Sequence, residues 1–266
     1  IISTELFKIL RNNWGSKFDA LISSRVKAVA GDISFENLGL NDSELREEMR
    51  KKIQIIVNVA ASTDFGERYD DALGINTFGA FNVLNFGKKC DKVELFLHIS
   101  TAYVCGEETG IILEKGENLK RRNDINIFEE KRLAQEQLSQ LQNQCIPDKA
   151  ITSSMKEFGL ERAKMNGWPN TYVFTKAMGE MLLGKFKGDL PLVIIRPTII
   201  ASTYKQPFPG WIEGVSFDDR NLERLQRVAE ERGIDLAEFN FDSRSIDWED
   251  YIMNSHIPGL LDQGLL

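Results

Sequence analysis

A tyrosine and a lysine four residues apart, Tyr172 and Lys176, have the types and spacing that could do chemistry. In a helix, residues at this spacing share one face. An ammonium within roughly 4–6 Å lowers the pKa of a tyrosine by about 1–3 units from its ordinary value near 10. A phenol tuned in this way exchanges a proton at neutral pH, so Tyr172 is a candidate general acid. The spacing also arises by accident, so the assignment requires a hydroxyl partner and a cofactor-binding fold elsewhere in the chain.

The composition is that of a globular protein and argues against several classes of function. The 266 residues are 42% hydrophobic and 27% charged, with a formal net charge of -7. Proteins that bind nucleic acids usually present a basic face, so no nucleic-acid partner is predicted. Two histidines and three cysteines show no metal-ligand spacing, so no metal site is predicted either. No apolar run approaches the roughly 20 residues of a spanning helix, and because the sequence begins with Ile1, the natural N-terminus is expected further upstream.

Segments of strand and helix character alternate along the chain. Strands are predicted at 26–30, 54–59, 93–99 and 191–196, and helices at 41–52, at 71–90 and around Tyr172. This alternation predicts right-handed βαβ units and a parallel sheet. The carboxyl ends of such strands meet at one edge of the sheet, where ligands bind.

Polar and small residues follow these predicted strands. Thr101 comes just past the third strand and supplies the hydroxyl partner that Tyr172 requires. Asp32 follows the first strand, and its carboxylate is predicted either to face a ligand or to cap a turn. Ala60 and Ala61 follow the second strand and are small enough for the backbone to pass close to a ligand.

Several ordered motifs together resemble the extended short-chain dehydrogenase/reductases. They are Val57-Asn58-Val59-Ala60-Ala61, Asn76-Thr77-Phe78-Gly79-Ala80, His98-Ile99-Ser100-Thr101-Ala102-Tyr103-Val104, and Tyr172 with Lys176. Three further segments are similar to plant alcohol-forming fatty acyl-CoA reductases, namely Trp14-Gly15-Ser16-Lys17-Phe18, Phe208-Pro209-Gly210-Trp211-Ile212-Glu213-Gly214 and Ile246-Asp247-Trp248-Glu249-Asp250-Tyr251. The resemblance covers nearly the whole chain.

The resemblance implies that NADPH reduces a long-chain acyl-CoA, through an enzyme-held aldehyde, to a primary alcohol. It implies that Tyr172 protonates the carbonyl oxygen and that Thr101 hydrogen-bonds the same oxygen. Lys176 would hold the nicotinamide ribose and lower the pKa of Tyr172. The other implied cofactor-binding residues are Asp32 and Ile33 at the adenine, Asn58, Ala60 and Ala61 along the cofactor, Asn76 supporting Lys176 through water, and Pro197 and Thr198 at the nicotinamide.

The chain also departs from the family pattern. No Gly-x-x-Gly-x-x-Gly turn between a strand and a helix precedes Ser3. The predicted fold is therefore α/β, a partial Rossmann-like parallel sheet that lacks its first strand, Gly-rich turn and second strand, so residues 26–30 are expected to be weakly paired or irregular. Residues 107–164 are interpreted as a helical insert over the site.

The domain prediction follows from a second departure. Residues 215–217 are interpreted as a direct junction to C-terminal helices, as an internal deletion would produce. The predicted domains are an incomplete NAD(P)-binding Rossmann-like reductase domain at 1–215 and a C-terminal helical fatty acyl-CoA reductase tail at 216–266.

Two alternatives to an active acyl-CoA reductase stay open. One is a catalytically inactive remnant that acts as a binding or interaction fragment, because half a cofactor site binds poorly. The other is an extended reductase or epimerase that acts on a nucleotide sugar or a phenolic aldehyde. The resemblance further implies an intracellular location at the endoplasmic reticulum, with a plastid as the alternative. Peripheral membrane association and oligomeric state are left open.

Overall fold

The computed structural model describes residues 7–107, 125–144 and 146–198, with short pieces at 2, 112, 228–229, 231–232, 247–251 and 253–254. The chain divides into two units, one of residues 30–198 and one of residues 1–29 with 199–266. The described helices of the second unit are α1 (Lys8–Trp14), α2 (Phe18–Arg25) and, near the C-terminal end, α9 (Trp248–Tyr251). Among the described residues, no helix is both long enough and apolar enough to cross a bilayer.

The 30–198 unit is built on a parallel sheet of three described strands in the order β1-β2-β3. The strands are β1 (Ile55–Asn58), β2 (Leu95–Ile99) and β3 (Leu192–Ile195). Each is rich in β-branched or other apolar residues and is two residues shorter than predicted. The predicted parallel α/β arrangement is confirmed for this unit.

Helices connect the strands along the chain. They are α3 (Ser43–Lys52), α4 (Tyr69–Ala72), α5 (Ala80–Gly87), α6 (Ile127–Asn143), α7 (Asp148–Met165) and α8 (Thr171–Phe186). The predicted 41–52 helix is capped by Asp42, whose Oδ1 accepts from the backbone N–H groups of Glu44 and Leu45. The predicted 71–90 helix is interrupted by a π-helical turn at Leu73–Gly79, which joins α4 to α5.

The main apolar core lies among α4, the π-helical turn and helices α6 to α8. Its fully buried members include Tyr69, Met155, Trp168 and Phe174. Helices α6 and α7 contribute side chains such as Ile127 and Met155 to this core. The interpretation of 107–164 as an insert over the site was therefore wrong for these two helices, because they form part of the main packing of the unit.

The two faces of the sheet differ in burial. Phe96 and His98 point to the face that the helices cover and are 0% and 1% exposed. On the opposite face, the apolar side chains of the outer strands β1 and β3 are 45–60% exposed, namely those of Ile55, Val57, Val193 and Ile195, whereas Leu95, Leu97 and Ile99 of the central strand are half-buried. Parallel sheets usually have both faces covered, whereas this face leaves the apolar side chains of β1 and β3 exposed to solvent.

Residues 26–30 do not form the strand that their composition predicts. The structure gives these residues no regular secondary structure, which confirms the expectation that they would be irregular. A strand gains its stability from cross-strand pairs, and β1 pairs with β2 alone among the described strands. The predicted domain boundary at 215–216 and the Pro-rich segment around Pro209 lie outside the described residues, and the domain division stays a prediction.

Candidate active site at the carboxyl edge of the sheet

The carboxyl ends of the three strands lie side by side. Asn58 on β1 is in register with His98 on β2, and His98 is in register with Ile194 on β3. The parallel pairing continues beyond the strands, since the N–H of Ser100 donates to the carbonyl oxygen of Ile195 at 2.8 Å. The N–H of Ala102 likewise donates to the carbonyl oxygen of Pro197 at 2.8 Å. Thr101 and the Pro197–Thr198 segment are thereby held next to each other.

Helix α8 carries Tyr172 and Lys176 and lies deep against this edge. It begins at an Asn170 cap, whose Oδ1 accepts from the N–H of Val173 at 3.0 Å. A Cβ placed on Gly179 would lie 2.5 Å from the carbonyl oxygen of Asn76, so glycine is what lets the two backbones approach. As a result Lys176 is only 2% exposed.

The Lys176 ammonium is directed at the end of β2. Its Nζ donates to the carbonyl oxygen of Ile99 at 2.7 Å. Burial lowers the pKa of Lys176 to about 8, and the carboxylate of Glu180 acts in the opposite direction. Glu180 is 3% exposed and pairs with Arg196, which ties α8 to the segment after β3.

The pKa of Tyr172 is shifted in the direction opposite to the one predicted. Its side chain is half-buried, and burial raises its pKa above the ordinary value of 10. The prediction that Lys176 would lower this pKa was wrong, because the loss of water around the phenol raises it instead. The structure shows no hydrogen bond from the Tyr172 hydroxyl to another described residue. A protonated phenol with an available hydroxyl is nevertheless suited to donating a proton.

Thr101 lies at the end of β2 and begins a short 3₁₀ turn. Its Oγ1 accepts from the N–H of Tyr103 at 3.4 Å, and its side chain is buried. A hydroxyl has one proton to donate and two lone pairs to accept with. The bond from Tyr103 occupies one lone pair and leaves the hydroxyl proton of Thr101 for an acceptor.

Asn76 fixes the loop that follows β1. Its Oδ1 accepts from the N–H of Ser62 at 3.0 Å, and its Nδ2 donates to the carbonyl oxygen of Ser62 and to Oγ1 of Thr175, both at 3.1 Å. These bonds clamp the loop of Ala60, Ala61 and Ser62 against α8. The support of Lys176 by Asn76 through water stays a prediction.

Asp32 and Ile33 form a separate turn at the exposed side of the site. The Asp32 carboxylate accepts from the N–H and the hydroxyl of Ser34 at 2.8 and 2.7 Å, which lowers its pKa. The turn-capping reading of Asp32 is therefore observed, and the exposed carboxylate still faces solvent. The carbonyl oxygen of Ile33 accepts from Asn82 at 2.9 Å, and its side chain packs against Gly79.

Comparison with known proteins decides the family. The profile of an NAD-binding family described as male sterility protein matches residues 3–227. The chain belongs to the male sterility protein family. It is 59% identical over 223 residues to a probable fatty acyl-CoA reductase 5 of Arabidopsis thaliana, covering 81% of this chain and 45% of that protein. It is 53% identical over 219 residues to an alcohol-forming fatty acyl-CoA reductase of Simmondsia chinensis, covering 81% of this chain and 44% of that protein.

This member of the male sterility protein family thus spans less than half the length of those two relatives. Among solved structures, it is similar to the terminal R domain of the myxalamid PKS-NRPS biosynthetic pathway, at 18% identity and a TM-score of 0.43. That match covers 74% of this chain and 40% of that one.

Three features of the site were not predicted from the sequence. His98 is buried beside the site, and its Nδ1 lies 3.1 Å from Nδ2 of Asn58. Burial and the nearby Lys176 charge lower the pKa of His98 to about 3, so the imidazole is neutral. The Glu180–Arg196 pair and the contact of Phe65 with Tyr172 are the other two. Only Glu180 carried a signal, since it follows Lys176 by one helical turn.

Proposed function

We propose that this chain carries the reducing site of a fatty acyl-CoA reductase, which uses NADPH to convert a long-chain acyl-CoA through an aldehyde to a primary alcohol. The observation that carries the proposal is the bond from Lys176, on the helix that also carries Tyr172, to the end of β2 next to Thr101, in a male sterility family chain. The names of its 59% and 53% identical relatives support the acyl-CoA substrate and the alcohol product.

The residues at the edge fit the nicotinamide half of such a cofactor. An ammonium has three donors, and the Lys176 bond to Ile99 uses one, which leaves two for the hydroxyls of a ribose. Ala60 and Ala61 offer no bulky side chain, and Pro197 and Thr198 border the same edge. Asp32 and Ile33 would hold the adenine. The 266 residues contain no Gly-rich turn to hold the phosphates, so these residues supply part of the cofactor site only.

The chain's own residues would manage the proton. NADPH, when bound, would supply a hydride to the carbonyl carbon at each of the two reductions. After the first hydride, the carbon–sulfur bond breaks and CoA leaves as its thiol, which gives the aldehyde. Thr101 would donate its hydroxyl proton in a hydrogen bond to the carbonyl oxygen as that oxygen gains charge. Tyr172, held protonated at neutral pH by its raised pKa, would then transfer its proton to the oxygen. Lys176 would stabilise the phenolate that remains.

The test combines cofactor binding with turnover. Saturable change in NADPH fluorescence on titration with the protein, together with fatty alcohol formed from palmitoyl-CoA, supports the proposal. We expect Tyr172→Phe to keep NADPH binding and to reduce alcohol formation by about 10²–10⁴-fold. Tyr103→Phe, which removes a hydroxyl from the same edge of the sheet, is the matched control and should retain activity.

Other outcomes separate the alternatives. A wild-type protein without any NADPH response would contradict the enzyme proposal and favour an inactive binding fragment. Reduction of a phenolic aldehyde or turnover of a nucleotide sugar, without reduction of acyl-CoA, would assign the site to another extended reductase.

A further inference from the structure

Phe65 is a large apolar side chain exposed beside the candidate general acid. It is 59% exposed, and its ring centroid lies 5.5 Å from that of Tyr172 with the ring planes inclined by 31°. Aromatic pairs at this separation attract each other beyond the effect of burial alone. One side of the Phe65 ring therefore packs on the phenol, and much of the remainder faces outward.

The turn that carries Phe65 is firmly held. The N–H groups of Gly66 and Glu67 donate to Oδ1 and the carbonyl oxygen of Asp64, at 2.9 and 3.3 Å. The hydroxyl of Ser62 donates to the Glu67 carboxylate at 3.1 Å. Ser62 is in turn clamped by Asn76. The ring position is thus fixed through the same asparagine that contacts α8.

An exposed aromatic ring in this position favours one class of substrate. It lies next to the group that donates the proton, so the atoms bonded to the reacting carbonyl must pass close to it. A hydrocarbon chain gains free energy by covering an apolar ring, whereas a polyhydroxylated sugar gains little.

We propose that Phe65 is a specificity-determining residue, whose ring contacts the methylene groups next to the reacting carbonyl of a long-chain acyl substrate and shields the Tyr172 phenol from water. This inference rests on the proposed function, because it assigns a surface for the acyl chain of that same substrate. It adds a role for a residue outside the Thr101, Tyr172 and Lys176 set.

Two measurements test the proposal, one for the shielding of Tyr172 from water and one for the contact with the acyl chain. In the free protein, the ionisation of Tyr172 is followed by ¹³C NMR of ring-labelled tyrosine, with Tyr172→Phe identifying its signal. We expect Phe65→Ala to move the pKa of Tyr172 back toward 10 and Phe65→Leu to retain part of the shift, since leucine restores apolar bulk. Met165→Ala, which removes an exposed apolar side chain on α7, is the control and should leave the signal unchanged.

The second measurement compares the affinities for palmitoyl-CoA and acetyl-CoA. We expect Phe65→Ala to reduce the preference for palmitoyl-CoA by about tenfold, the effect of two covered methylene groups, and Phe65→Leu to recover most of it. Unchanged preference and unchanged Tyr172 ionisation in Phe65→Ala, with palmitoyl-CoA still bound, would overturn the Phe65 proposal alone. If the wild-type chain binds neither acyl-CoA, the proposed function fails and the acyl contact fails with it, while the NMR titration still decides the shielding of Tyr172.

Discussion

The candidate site has two sides that differ in burial and in how their polar groups are satisfied. The helix side, made of Asn58, Asn76, His98 and Lys176, is at most 4% exposed, and its side chains bond to other parts of the protein. The loop side, made of Asp32, Ile33, Ala60 and Ala61, is exposed or half-buried, and its turn is held mainly by bonds within itself.

Because of this difference, substitutions on the two sides should affect stability and ligand affinity differently. On the helix side, the groups that would meet the substrate and nicotinamide are also structural, so substitution there affects stability and activity together. On the loop side, the Asp32 carboxylate bonds within its own turn, so substitution of Asp32 should change ligand affinity with little effect on folding. Substitutions on the helix side are expected to have larger effects on stability than substitutions on the loop side.

The largest difference is expected between two asparagines. Asn76→Ala removes three hydrogen bonds on the helix side and leaves buried partners unpaired, which should cost roughly 2–4 kcal/mol of unfolding free energy. Asn82→Ala removes one bond to Ile33 on the loop side and should cost about 1 kcal/mol. Urea unfolding of both variants measures the difference. Equal costs would contradict the comparison.

His98 should make the helix side sensitive to acid. Its pKa is about 3 in the folded protein and near 6.5 when unfolded, so the unfolded state binds the extra proton between these values. The stability present above pH 6.5 is lost as the pH falls, by about 2 kcal/mol between pH 7 and 5. Urea unfolding of wild type and of His98→Gln at the two pH values isolates this part. Parallel losses in both proteins would argue against a neutral buried imidazole.

Lys176 should make the free energy of unfolding depend on pH in the alkaline range. Its pKa is about 8 in the folded protein, against 10.5 for an ordinary lysine, so the unfolded state holds more protons between pH 8 and 10.5. Stability contributed by this group therefore increases as the pH rises, by about 1–2 kcal/mol from pH 8 to 10. Lys176→Met, of similar length, should lack the increase in the same unfolding series. The same pH dependence in both proteins would show that the lysine is not desolvated.

The smallest effect is expected at Asp32. Asp32→Asn keeps an oxygen that can accept from Ser34, and the residue is exposed, so the midpoint of urea unfolding should not change within error. A change in NADPH affinity at constant stability would support its cofactor role. A midpoint shift as large as that of Asn82→Ala would show that the turn is structural after all.

The sequence predicted the sheet better than it predicted the electrostatics. Alternating strands and helices impose a parallel order, so Thr101 and the α8 residues were expected at one edge, and the structure shows Lys176 bonded to Ile99 at the end of β2. The pKa of Tyr172 could not be predicted from its spacing to Lys176, because it depends on burial beside Phe65, whose turn is distant in sequence. Residues 26–30 have strand character but are irregular, as expected, since a strand requires neighbours that its own residues do not specify.

The contact between His98 and Asn58 could not be predicted from the sequence either. Asn58 and His98 both belong to motifs typical of the reductases. The type of residue does not show, however, which nitrogen of a histidine in an apolar strand will be hydrogen-bonded. The register of β1 and β2 brings the two side chains together across the sheet. Contacts of this kind follow from the alignment of strands rather than from any local pattern.

The open apolar face of the sheet governs how the protein behaves in concentrated solution. Ile55 and Val57 on β1 present β-branched side chains to water, and β1 is an edge strand with unpaired backbone groups among the described strands. Such surfaces self-associate as concentration rises. Light scattering should therefore increase with protein concentration and fall in mild non-ionic detergent, so the colloidal lifetime of the purified chain will set the practical window for every assay described above.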